Sequence, residues 1–188
     1  PTRAADAGTI HKQIGVHAGL CVLVGENQAD RALALAKVSD LVIYLPTRSL
    51  SRATAVRATV EKSGLLGTRI HVDHGRPERI GLASNLADAV IVEGSVRTPK
   101  TELMRVIRPR GRLILDGTVQ AKPVPDGTGE WTHPYHGSDN NPQSDDRLAR
   151  APYLTKFLAT PWYGPMPEVT VSSGGRMFKA FGFLAFKR

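Results

Sequence analysis

A single cysteine, Cys21, is the only thiol in this chain. That excludes an internal disulfide and a metal site built from paired thiolates. Cys21 sits inside an apolar run, which predicts a buried and inert thiol rather than a nucleophile. No stretch approaches 18 consecutive apolar residues, so no helical membrane span is expected. Nor is there a run of five or more basic residues, and aromatic and basic residues do not interleave on any predicted strand, which sets a nucleic-acid-binding module last among the possible functions. Phosphate-binding Gly-Lys-Ser/Thr loops, a nucleophile elbow and a complete Gly-x-Gly-x-x-Gly fingerprint are all missing. A nucleotide triphosphatase and a standard dehydrogenase are thereby disfavoured. No signal peptide is visible. The start at Pro1 without Met fits a removed leader, so an exported or periplasmic location is expected ahead of a cytoplasmic one.

What is present suffices for a packed core. Hydrophobic residues make up 41% and charged residues 22% of the 188, enough for one ordinary domain or for one domain and a piece of another. The net charge of +8 is spread along the chain and reads as a solvated basic surface.

The pattern along the first two thirds alternates between strand and helix. Residues 4–16 read as a short helix with Ile10 and Ile14 on one face. Leu20-Cys21-Val22-Leu23-Val24, closed by Gly25, is short and continuously apolar, as suits a strand buried on both faces. A helical pattern through Leu33, Leu35, Ala36 and Val38 follows, then a second buried strand at Leu41–Leu45 ended by Pro46. Ser49 or Ser51 can cap a helix running to about Ser63. Arg69–Val72, Ala87–Val92 and Arg112–Leu115 read as three further strands, with a helix over Thr101–Ile107 before the last. This alternation predicts right-handed βαβ units, an α/β doubly wound parallel sheet of Rossmann-like type. Ligands on such sheets sit beyond the carboxyl ends of the strands, which directs attention to the loops after Val24, Leu45, Val72 and Val92.

From Thr118 the character changes. Residues 118–167 are rich in Pro, Gly, Asp and Asn and read as a linker or irregular segment. Residues 168–188 carry short antiparallel strand signals: Glu168–Val171, a turn over Ser172–Gly175, then Arg176–Phe178 and Phe183–Phe186.

Several of these stretches resemble a known family. Leu20–Gly25 is similar to the first strand and glycine turn of class I S-adenosylmethionine-dependent methyltransferases. Asn85–Val92 is similar to their fourth strand, and Glu102–Leu115 resembles the segment leading into their fifth. The resemblance covers about residues 4–117, expected as one methyltransferase-like domain over residues 1–117. Glu130–Asn141 and Val171–Phe178 resemble proteins that join such a domain to a β-propeller of the pyrroloquinoline-quinone-repeat type. Propeller blades need about 40 residues each, so residues 168–188 would be the incomplete start of one blade and the chain a fragment.

The methyltransferase resemblance implies S-adenosylmethionine as cofactor, held at Gly25, Glu26, Asn27 and Asp30 in the first turn, at Pro46 after strand two, at Arg76 after strand three and at Glu93 after strand four. The chain departs from the family pattern at each place. Its first turn keeps one glycine, the carboxylate position after strand two falls on Leu45 or Pro46, and Arg76 stands where the family commonly shows an acid. Glu26, Asn27 and Asp30 serve equally as polar caps of the following helix, and Glu93 as a solvated carboxylate. No catalytic base can be named and the methyl acceptor is unknown. The His133/His136/Asp139 group offers zinc donors, but its Pro- and Gly-rich setting favours packing around Trp131 and Tyr135, and no metal site is expected. Two functions remain: a methyltransferase-like domain with a degenerate site, attached to a propeller, or a non-catalytic scaffold or docking domain of an exported propeller protein.

Overall fold

The computed structural model describes residues 6–25, 28–76, 78–94, 96–148 and 169–180. They fall in two compact units, Pro1–Val124 and Pro125–Arg188.

The first unit opens with α1 (Ala7–Ile14), which buries Ile10 and Ile14, one turn apart. The helix is shorter than the 4–16 expected. Gly15 adopts a left-handed conformation and ends it, and the Arg112 guanidinium donates to the Gln13 carbonyl at 2.6 Å, a cation against the negative end of the helix. Next come β1 (Ala18–Gly25), α2 (Gln28–Val38), β2 (Asp40–Thr47), α3 (Leu50–Glu61), β3 (Ile70–His74), β4 (Ala87–Glu93), α4 (Lys100–Val106), β5 (Ile107–Leu115) and β6 (Thr118–Ala121). They build one six-stranded sheet in the order β3-β2-β1-β4-β5-β6. β1 to β5 are all parallel, as the alternation predicts.

Because β1 is central, both of its faces are covered. Cys21 and Leu23 join a core under α1, α2 and α3 with Leu35, Leu41, Ile43 and Leu45. Val22 and Val24 face the opposite side with Ile80, Val90, Leu103 and Leu113. Each fully buried Leu or Ile contributes roughly 1.5–3 kcal/mol by leaving water. The Cys21 thiol is completely buried, and desolvation, followed by the nearby Asp88 charge, pushes its pKa up to about 12. It is buried, as its apolar setting predicts.

Two sequence expectations change here. Pro46 does not end β2, which continues to Thr47 with Pro46 opposite Asp73 of β3. The pairs between β1 and β2 stop at Val22–Tyr44, so the proline falls where that ladder has already run out and its missing N–H is harmless. Second, the linker expected from Thr118 begins with a strand. β6 pairs antiparallel with β5 through Asp116-Gly117, both at positive φ (48° and 81°), the geometry of a two-residue hairpin turn.

In the second unit, β7 (Val169–Ser173) and β8 (Arg176–Ala180) form an antiparallel hairpin around Gly174-Gly175. Glu130 clamps the turn by accepting from the Gly174 amide at 2.8 Å and the Ser173 hydroxyl at 3.0 Å. Trp131 bridges to Ser172 beside it. The expected strand at Phe183–Phe186 lies outside the described residues.

Candidate functional site

Parallel strands all deliver their carboxyl ends to one edge of the sheet, and the loops leaving that edge enclose a cleft of about 220 Å³. Val24 and Gly25 of β1, Gln28 of α2, and Pro46 and Thr47 of β2 form its floor. Arg48, Ser49 and Arg52 at the start of α3, Arg76 after β3, Ile80, and Thr98 after β4 form its walls. At that volume the cleft lies below the roughly 300–1,000 Å³ of most small-molecule pockets.

Gly25 is required by the sheet as much as by any ligand. It has φ +132° and sits opposite Glu93, and a Cβ there would run into the Glu93 carbonyl oxygen. Where the β1–β2 ladder stops, the Gln28 side chain replaces it. Its Nε2 donates to the Leu23 carbonyl at 2.7 Å and to the Pro46 carbonyl at 3.1 Å. Gln28 is only 3% exposed, and with both amide hydrogens used its Oε1 is buried without a hydrogen-bond partner.

The charge of the cleft is one-sided. Among the described residues three arginines line it and no carboxylate does. The three form no ion pair with an acid among the described residues. Arg52 donates from Nη2 to the Gly25 carbonyl at 3.3 Å. Ser49 caps α3, its hydroxyl accepting from the Arg52 amide at 3.2 Å, while the first-turn amides of Leu50 and Ser51 have no intrahelical acceptor. The nearby acids are engaged elsewhere. Asp73 at the end of β3 accepts from the Tyr44 hydroxyl at 2.6 Å and from the His74 amide at 2.8 Å. Burial, and then the Asp73 hydrogen bond and charge, push the Tyr44 hydroxyl well above its ordinary pKa.

The wall carrying Ile80 is fixed from behind. Glu102 accepts from the Ile80 amide at 2.8 Å and from Arg105 Nε and Nη2, each at 2.7 Å. Arg105 donates further to the Ile80 and Leu82 carbonyls. The hydrogen bond from Arg105 holds the Glu102 carboxyl below its ordinary range.

Of the residues expected at the cofactor site, Gly25, Pro46 and Arg76 line the cleft. Asp30 is exposed on the first turn of α2 and is not part of the lining. Glu93 is absent from the lining too, paired at 2.8 Å with Arg31. Glu26 and Asn27 lie outside the described residues. Leu45, a candidate for the strand-two carboxylate position, is fully buried among the residues under the helices, so neither its side chain nor a replacement there faces the cleft. Gln28, Arg48, Ser49, Arg52 and Thr98 were not anticipated. The signal for three of them was in the sequence, as the Arg48-Ser49-Leu50-Ser51-Arg52 run at a strand exit. In the second unit, His136 packs edge-on against Trp131 with ring centres 5.4 Å apart, and His133 receives a contact from the Thr132 hydroxyl at 2.8 Å. No group of metal-ligating side chains forms among the described residues. No described helix is long and apolar enough to cross a membrane.

No family model and no curated protein sequence matches the chain. Solved structures do. A SAM-dependent methyltransferase from Aquifex aeolicus is 20% identical over 58% of this chain and 62% of its own, with a TM-score of 0.52. The [4+2]-cyclase SpnF is 19% identical over 58% of this chain and 42% of its own, with a TM-score of 0.52. Geranyl diphosphate methyltransferase in complex with SAM is 12% identical over 58% of this chain and 46% of its own, with a TM-score of 0.50. The chain thus spans roughly two fifths to three fifths of the length of these proteins. Parallel strands in the order 3-2-1-4-5, helices on both faces and these neighbours together show that the first unit has the Rossmann-like fold of class I S-adenosylmethionine-dependent methyltransferases.

Proposed function

We propose that the first unit is a methyltransferase-like domain with a degenerate cofactor site, attached to a propeller module, and that it holds S-adenosylmethionine weakly. One observation carries this reading: among the described residues the sheet-edge cleft is lined by three arginines and by no carboxylate. S-adenosylmethionine brings a sulfonium and an ammonium against a single carboxylate, together with a ribose diol that a strand-end carboxylate would receive. Here Leu45 at the end of β2 is buried in the core, and Asp73 at the end of β3 accepts from Tyr44 and does not line the cleft. The donor set does not fit the cofactor, and no methyl-transfer step is derived through it. SpnF, a cyclase with the same fold, illustrates that the fold alone does not decide the chemistry.

Calorimetric titration with S-adenosylmethionine and S-adenosylhomocysteine tests the reading. Dissociation constants above ~100 μM, less than about 5.5 kcal/mol of binding free energy, are expected. Low-micromolar binding of either would overturn it and restore an active methyltransferase.

The propeller attachment rests on the second unit, whose β7–β8 hairpin with a Gly-Gly turn has the form of adjacent strands in a blade. A two-stranded hairpin is marginal in water. Backbone amides of Val169–Ala180 should therefore exchange with solvent far faster than those of β1 and β4. Protection equal to that of the central sheet would show the hairpin already fully supported within this chain and count against the reading.

A further inference from the structure

At the mouth of the cleft Arg48, Arg52 and Arg76 present guanidinium groups with no acidic partner among the described residues, beside the N-terminus of the 12-residue α3. That terminus adds unsatisfied N–H groups and the positive end of the helix dipole, and no acid in the first turn offsets them. Gln28 also lines the cleft, and it is 97% buried, with Oε1 an occluded acceptor that has no hydrogen-bond partner. The orientation of the carboxamide is dictated, because turning it over would set Oε1 against the two carbonyls at 2.7 and 3.1 Å that Nε2 now bridges. The arginines and the helix end call for an anionic ligand.

We infer that this cleft binds a nucleoside phosphate through its ribose phosphate, with the phosphate on Arg48, Arg52 and the α3 N-terminus. The position after the second strand of a doubly wound sheet meets the adenosine ribose of a bound nucleotide. A carboxylate there accepts from the free diol, whereas an arginine there receives a phosphorylated ribose. In this chain β2 is followed by Thr47-Arg48-Ser49, with Arg52 one turn on, so the substitution that weakens a sulfonium nucleoside favours a phosphorylated one. Planar guanidinium groups bind phosphate by paired charge-assisted hydrogen bonds, which gives the site direction as well as charge. The small volume suits the ribose phosphate, with the base extending outward. The inference rests on the reading of this cleft as the ligand site of the first unit, and not on how tightly S-adenosylmethionine binds there.

Calorimetric titration of the 188-residue chain at low ionic strength with 5′-AMP, 2′-AMP, adenosine and inorganic phosphate tests it. At least one monophosphate should bind tenfold or more tighter than adenosine and than inorganic phosphate, and raising the salt to 0.5 M should weaken it severalfold. The Arg48→Ala/Arg52→Ala double variant, with an unchanged circular dichroism spectrum and unfolding temperature, should lose at least tenfold for that monophosphate. If the double variant proves unstable, Arg48→Gln alone, exposed and outside every described hydrogen bond, should still lose threefold or more. Equal binding of phosphate and nucleotide would mean an adventitious anion only. That result, equal binding of adenosine and monophosphate, no binding of any, or wild-type affinity in both variants would each overturn the inference. Tight S-adenosylmethionine binding alongside tight AMP binding would instead overturn the degenerate-site reading and leave this one standing.

Discussion

Gln28 is the residue on which the carboxyl edge of the sheet depends most, and its replacement tests how that edge is held. Its amide donates to two carbonyls on adjacent strands, at 2.7 and 3.1 Å, just where the β1–β2 ladder has ended. Each such bond is worth about 1 kcal/mol net, and leaving a buried carbonyl without a donor adds about 1 more. Removing the orphaned Oε1 returns part of that, so Gln28→Ala should destabilise the chain by roughly 2–3 kcal/mol. For a chain of this size a kcal/mol corresponds to about 2–4 °C, giving a fall in Tm of roughly 4–12 °C. Gln28→Met keeps most of the volume and removes the orphaned oxygen, so it should recover about 1 kcal/mol relative to the alanine variant. Thermal and urea unfolding followed by far-ultraviolet circular dichroism measure both. A change below 0.5 kcal/mol for Gln28→Ala would show that the strand ends hold together without the clip, and would refute the account of β2 running through Pro46.

Two other perturbations follow from the same edge. Gly25→Ala combines φ +132° with a collision against the Glu93 carbonyl, and should cost on the order of 3 kcal/mol in urea unfolding; a near-neutral result would show that β1 and β4 can separate there. Glu102 has its folded pKa lowered, first by the Arg105 hydrogen bond. Its stabilisation is therefore complete above the ordinary carboxyl value of 4.5 and is lost as pH falls through the lower folded value. Glu102→Gln should lower stability by about 1 kcal/mol at pH 7, with the difference from the parent shrinking below pH 4.5 in unfolding curves taken between pH 3 and 7; a gap that widens on acidification would reverse the sign argued here.

The order of strands and helices was legible because buried parallel strands read as short continuous apolar runs, and Leu20–Val24, Leu41–Leu45 and Ala87–Val92 are such runs. Their helices were legible from apolar residues spaced by a turn, as at Ile10 and Ile14. The hairpin into β6 was announced by Asp116-Gly117, the dipeptide that tolerates two consecutive positive φ angles, but the Pro- and Asp-rich sequence beyond it obscured that signal. Residue type also showed that the usual carboxylate after β2 is missing. What took its place was decided only in three dimensions. Whether Leu45 faces the cleft or the core depends on the pleat of β2 within the sheet. Glu93 is removed from the cleft lining by its pairing with Arg31, which sits on the neighbouring helix. Gln28 reads in sequence as an ordinary first-turn residue, and becomes a strand clip because β1 and β2 part company beside it. Arg48, Arg52 and Arg76 come from two different strand exits, so their convergence on one cleft is a property of parallel strands ending at a common edge. Composition and spacing determine which local structures form, since those depend on neighbours along the chain. The cleft's charge, the orphaned acceptor and the occupied acids depend on neighbours across the sheet, and only the tertiary structure brings those together.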